Sequence, residues 1–242
     1  MKKLTFAAVA LAAGTMFANT TPVMVSLVTP VQAPARDWDV AGLRLSLIYG
    51  QCQNMTGLDL GLGAVATDDF VGLGIDVVNY AGGDSAGVGI GGVNVACGDL
   101  TGLDVGGVNY AGGAVCGGQL GLVNWNGNKS AAWSERSVGA QIGVVNYAGA
   151  FCGLQEGFVN VSDVSFAGLQ SGFVNCAADV AGLECGAYFL LGLNFASGTV
   201  RGCQIGLVNY AARMEKGLQI GFVNIIGEGG WLPVLPIVNG SF

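Results

Sequence analysis

Gly139-Ala140-Gln141-Ile142-Gly143-Val144-Val145-Asn146 returns, little changed, as Gly202-Cys203-Gln204-Ile205-Gly206-Leu207-Val208-Asn209 and again as Gly217-Leu218-Gln219-Ile220-Gly221-Phe222-Val223-Asn224. Self-similarity at a fixed period marks a chain built from one supersecondary unit, so this octet governs the reading of its surroundings. Unit-opening glycines stand at Gly42, Gly57, Gly72, Gly87, Gly102, Gly117, Gly139, Gly153, Gly168, Gly182, Gly202 and Gly217. They are mostly 15 residues apart, with departures of 14, 20 and 22. Asn239 lies 15 past Asn224, so a thirteenth, degenerate unit is expected to end the chain.

Inside a unit the alternation has period two, the mark of a strand. Counting the opening glycine as position 1, positions 2, 4 and 6 are mostly Leu, Ile, Val or Phe. Position 3 is polar in most units, as in Arg44, Asp59, Asp104, Gln119, Gln141, Gln155, Gln170, Glu184, Gln204 and Gln219. One strand face is therefore greasy, and the other is narrow and carries a single polar group. An apolar residue recurs two places before the glycine (Phe70, Leu100, Val115, Phe151, Phe166, Val180, Val200), and an aromatic often follows the asparagine (Tyr80, Tyr110, Trp125, Tyr147, Tyr210). Each unit then reads as roughly 11 residues of strand and 4 of turn, with Gly-Gly, Gly-Asp and Asn-Gly as turn chemistry. The chain is all-β, with about thirteen such repeats in one domain over residues 36–242.

The composition follows from the repeat and excludes several function classes. Of 242 residues 43 are glycine, 52% are hydrophobic and 10% are charged. Disorder needs the reverse balance. Nine basic residues against sixteen acidic ones argue against a nucleic-acid partner held by phosphate neutralisation. The absence of histidine removes Ser-His-Asp and Cys-His nucleophile pairs and histidine-liganded metals.

Two all-β architectures fit a 15-residue unit. In a parallel β-solenoid each unit is one coil and the asparagines stack as a ladder. In an up-and-down outer-membrane-type β-barrel each unit is one strand plus a turn, its greasy face toward lipid and its Gly/Gln face inward. Three features favour the barrel. The long intervals follow units six and ten and the short ones units seven and nine, the parity expected of long external loops and short periplasmic turns. Phe242 closes the chain after an apolar segment, and 25 charges would clothe a water-facing solenoid thinly. Glu156 and Ser171 fall on the greasy face, where a charge is costly against lipid and equally so in a dry solenoid core, and Pro233 and Pro236 cannot donate ladder bonds in a closing barrel strand. The barrel is the leading expectation and the solenoid the alternative.

The repeats, together with Trp231-Leu232-Pro233-Val234-Leu235-Pro236-Ile237-Val238-Asn239, resemble a bacterial family known as surface-repeat-containing proteins. The resemblance covers nearly the whole mature chain. It implies an exported, envelope-associated protein and carries no catalytic residues to transfer. Early units depart from the pattern (Gly61-Leu62-Gly63-Ala64), as does unit ten at Ala187-Tyr188-Phe189.

Residues 1–35 read as an export signal. Lys2 and Lys3 precede an apolar stretch from Leu4 to Ala13, and Ala33-Pro34-Ala35 offers a cleavage site, with Met16-Phe17-Ala18 as an earlier alternative. Removing both lysines leaves 9 − 2 = 7 basic groups and a net charge of 7 − 16 = −9. The seven cysteines form no C-x-x-C pair and read as small buried hydrophobes. Gly82-Gly83-Asp84-Ser85-Ala86-Gly87 superficially resembles a serine-protease loop and Gly87-Val88-Gly89-Ile90-Gly91-Gly92 a phosphate loop. Both are expected to be accidents of a glycine-rich repeat. The recurring asparagines are expected to close turns or stack in a ladder rather than bind calcium. The polar insert Asn126–Ser137, with Asn128, Lys129, Trp133, Glu135 and Arg136, is the candidate external recognition loop. Together these readings describe a non-enzymatic envelope protein without cofactor or metal, at the outer membrane or cell surface. Its expected partners are outer-membrane lipid and a surface ligand.

Overall fold

The computed structural model describes residues 19–130, 132, 135–186 and 191–242. Its strands are β1 (Thr20–Val28), β2 (Val31–Ala33), β3 (Asp39–Cys52), β4 (Met55–Ala66), β5 (Phe70–Ala81), β6 (Ser85–Ala96), β7 (Leu100–Ala111) and β8 (Val115–Asn126), followed by β9 (Ser137–Gly186), β10 (Leu193–Ile205), β11 (Val208–Glu228) and β12 (Val234–Ser241). From β3 to β11 each strand pairs in parallel with the next, like position on like position. Gly57 lies beside Gly72, Gly72 beside Gly87, and Asn94 beside Asn109. The chain is a parallel β-solenoid of about 13 turns.

The barrel expectation is thereby corrected. Up-and-down strands would pair antiparallel and close first on last, whereas the sheet runs in order from β2 and β1 at one end to β12 at the other. Parallel neighbours ordinarily need a crossover of a dozen residues or more. Here three residues, such as Thr67–Asp69 between β4 and β5, suffice, because each strand itself bends round the coil. Interval parity has no meaning in this arrangement, since every coil runs the same way.

Two features make the bends. Every unit-opening glycine from Gly42 to Gly217 has φ between 129° and 155°, a region closed to side chains. A Cβ there would strike the backbone of the rung below, as at Gly72 against the Gly57 carbonyl oxygen. At positions 6 and 7 the alternation breaks and two successive side chains point outward, as with Leu47 and Ile48 or Val77 and Val78. The chain thus turns with positions 3, 8 and 10 inside.

The interior is consequently amide-rich. Each asparagine at position 8 donates through Nδ2 to the Oδ1 of the next, at 2.7–2.9 Å from Asn79 through Asn94, Asn109, Asn124, Asn146, Asn160, Asn175, Asn194 and Asn209 to Asn224. The second Nδ2 proton commonly reaches the position-4 carbonyl of the next rung, as from Asn109 to Leu120 at 2.9 Å. A parallel ladder runs the other way through the glutamines, Gln141 to Gln119 at 2.9 Å, Gln155 to Gln141 at 2.7 Å and Gln170 to Gln155 at 2.6 Å. Buried amides are tolerable because these stacks satisfy most of their donors and acceptors. The apolar interior is the column two places before each glycine, packed on the position-10 alanines. It divides into three clusters where Ser85 and Ser137 replace the hydrophobe.

Both ends are capped. β1 is a first rung, with Met24 buried beside Arg44, and β2 folds back on it as a hairpin. The last unit folds back as well. β12 runs antiparallel to β11, so Asn239 lies beside Gln219 and not Asn224, and it leaves the asparagine ladder. The degenerate thirteenth unit thus folds back on the twelfth instead of extending the parallel stack. It also accommodates Pro233 and Pro236, because an edge strand has bonds to spare.

Candidate functional site

With the amides inside, the greasy positions are outside. Positions 4 and 6 of successive rungs form two columns on the outer surface, including Ile75, Val77, Leu120, Leu122, Ile142, Val144 and Ile220, all exposed. Leu122 is 64% accessible and Phe222 is 76%. A soluble sheet normally buries such a face. Toward the amino-terminal end the columns bound a groove of about 650 Å³ lined by Val25, Leu45, Leu47, Leu60 and Leu62. Toward the other end Phe158 and Phe173 stack with centroids 5.0 Å apart and planes 8° from parallel. Aromatic stacks at position 9, Trp125 on Tyr147 at 3.9 Å and Phe195 on Tyr210 at 4.7 Å, continue the apolar surface past the bend.

Glu156 is the one carboxylate in the two columns among the described residues, and it is exposed there. Burying its charge, the difficulty foreseen for either architecture, therefore does not arise in the isolated chain. Most other exposed charge gathers in the turns. Asp69, Asp84 and Asp99 each accept the backbone N–H one rung up, at 2.7–2.8 Å, from Asp84, Asp99 and Ala114. Arg201 pairs with Glu215 at 2.6 Å and Arg213 with Glu228 at 2.9 Å.

The lumen holds a second group of polar side chains. Arg44, 1% exposed, donates from Nε to Asp59 Oδ1 at 2.8 Å, from Nη2 to Asp59 Oδ2 and from Nη1 to the Val65 carbonyl at 2.7 Å. Asp76 replaces the usual position-5 glycine, and neither of its buried carboxylate oxygens has a partner. Burial first, and then the charge of Asp59, raise its pKa to about 7 against the pull of Arg44. Burial alone holds Asp104 at about 7. Glu184 takes a glutamine's place and is likewise raised to about 7 by burial, although Gln204 donates to it at 2.5 Å. Where Gly74 and Gly89 leave the position-3 column empty there is a cavity of about 20 Å³. It has room for a single water. Among the described residues no cluster of three or more His, Cys, Asp or Glu is arranged to hold a metal.

The sequence motifs fall into place around these two surfaces. Gly87–Gly92 lies within β6 rather than at a strand-to-helix turn, and Gly82–Asp84 is an inter-rung turn. The asparagines form the ladder expected of them. Only part of the Asn126–Ser137 insert is available as a recognition loop. Asn126 is buried and donates to Ser137 Oγ at 2.6 Å, Ser130 Oγ donates to Glu135 at 2.7 Å, and Lys129 meets Asp163 at 3.5 Å. Trp133 lies outside the described residues, as do residues 1–18 and the departure at residues 187–189. The cysteines depart from the buried-hydrophobe reading: Cys52 is buried, but Cys97 and Cys116 are exposed and Cys152, Cys176 and Cys203 are half-buried. The lumenal carboxylates were visible as variants of position 3, and Asp76 as a break in position 5, but nothing in one strand's pattern says that this face closes on itself. No family model matches the chain, and neither a curated protein nor a solved structure matches it.

Proposed function

We propose that this chain is an exported, surface-displayed β-solenoid that works as a non-enzymatic interaction scaffold, docking through its outer apolar face. The observation that carries this reading is the inversion of the coil, with amides ladder-bonded inside and Leu, Ile, Val and Phe columns outside. Contiguous exposed apolar patches beyond a few hundred Å² mark interaction sites. Export is supported by Lys2, Lys3 and the apolar run after them, and the resemblance to surface-repeat-containing proteins favours the same setting.

Labelling on intact cells tests both halves of the proposal. A membrane-impermeant maleimide should modify the exposed turn residue Cys97, and a Leu122→Cys variant should react many-fold more slowly at its new cysteine because a partner covers it. Peptide mass spectrometry reads both sites at once. Labelling of Cys97 only after lysis would remove surface display. Equal rates at the two sites would remove docking through the face.

A further inference from the structure

We infer that the partner on this face is a second copy of the chain, related by a two-fold axis that lies along the strand direction between units six and seven. The inference rests on the apolar face being a docking surface and names its occupant.

The argument begins with side-chain size along the position-6 column. Units four and five carry Gly92 and Gly107, and units eight and nine carry Phe158 and Phe173. Neighbouring rungs hold Val77 and Leu122 at the same position, so the coil admits a side chain there, with the backbone easing where a Cβ would stand 2.9 Å (Gly107) or 3.1 Å (Gly92) from the carbonyl oxygen of the rung below. They leave a notch in the column, and the stacked phenylalanines form a knob, with Phe158 57% exposed and Phe173 37%. The proposed axis lays column on column and sends unit k onto unit 13 − k. Gly107 then faces Phe158, since 5 + 8 = 13, and Gly92 faces Phe173, since 4 + 9 = 13. The match occurs twice, once in each direction, as an isologous interface demands. A lipid surface would make no use of such a pattern.

Area and edges agree. The twelve units that this axis pairs, at roughly 4.8 Å each, by about 13 Å from position 2 to position 6, give on the order of 750 Å² per copy, close to the ~800 Å² per partner of a standard interface. End-to-end growth is opposed by the three-residue β2 at one edge and by β12, with Pro236, at the other. Glu156 would face Val105 in this pairing and weakens it, so the dimer is expected to be reversible.

Sedimentation velocity on the purified, exported protein provides the test. The wild type should dimerise in the micromolar range. Gly107→Phe, and independently the less crowded Gly92→Phe, should each weaken the dimer at least tenfold with unchanged circular dichroism. Gly107→Phe combined with Phe158→Gly exchanges knob and notch and should restore it, while Glu156→Leu should tighten it. A wild type that stays monomeric at 100 μM, or a Gly107→Phe protein that dimerises like the wild type, would overturn the inference. Flotation with phosphatidylcholine vesicles then separates two failures. A monomer that floats has a docking face occupied by lipid, and one that does not float loses support for the docking reading as well.

Discussion

At the scale of the residue, Glu184 is the most informative departure from the repeat. Its neighbours in the ladder, Gln170 and Gln204, each have an amide to give and a carbonyl to receive. Gln204 gives its amide to Glu184 Oε2, but Glu184 Oε1 and Gln170 Oε1 are both buried without partners. A proton on Glu184 would supply the missing donor, and burial holds its pKa at about 7 against an ordinary 4.5. The native state therefore keeps a proton that the unfolded chain releases above pH 4.5. Stability from this site is full at or below that pH, falls through pH 7 and is gone above it. A shift of 2.5 units corresponds to roughly 3 kcal/mol. Glu184→Gln should accordingly raise the urea midpoint at pH 8 by an amount equivalent to about 1–3 kcal/mol and leave it unchanged near pH 4. Equal gains at both values would mean that packing, not ionisation, separates the two side chains. Asp76 and Asp104, also raised to about 7, add to the same slope. Arg44 does not, because its guanidinium stays protonated in the folded and unfolded chain throughout this range.

At the scale of the element, the repeat unit was legible and the caps were not. Eleven residues of strand and four of turn were expected, and β4 to β8 each have 12. The alternation and the glycine positions carry that information locally. β1 was hidden because Val23, Val25 and Leu27 continue the apolar character of the preceding run and so fell within the expected signal. Its register tells otherwise: Thr20 pairs with Asp39 and Ser26 with Ser46, and Ser26 Oγ donates to the Tyr49 carbonyl at 2.6 Å. Cleavage after Ala35 would strip off this rung and bare Arg44, which lies beside Met24. Cleavage at the earlier Met16-Phe17-Ala18 site leaves the cap whole. The mature protein is therefore expected to begin at Asn19, and intact-mass measurement on exported material decides between the two; a start at Arg36 would show that the solenoid opens with β3.

At the scale of the whole molecule, one strand's pattern could not give the direction of its neighbour. Alternating Gly/Gln and Leu/Val faces suit an antiparallel hairpin and a parallel coil equally, because both place one face inward. The distinguishing signal was the identity of the inward residues. Asn94, Asn109 and Asn124 can bond one to the next at 2.8 Å only if like positions adjoin, which antiparallel neighbours would prevent. That coupling makes the stack a sum of nearly independent rungs, each bonded to two neighbours. Removing one complete unit should therefore be tolerated, whereas in an up-and-down sheet it would reverse every later strand. Deletion of residues 85–99 joins Asp84 to Leu100, sets Asn79 beside Asn109 and brings Phe70 next to Leu100. The interruption at Ser85, which separates two of the apolar clusters, is thereby removed. The shortened protein should keep its β circular dichroism and melt cooperatively, within a few degrees of the full chain. Deleting residues 85–92 instead displaces every later glycine from its bend by half a unit, and the rungs above should lose their order. If the two deletions behave alike, the rungs are not held by matching positions.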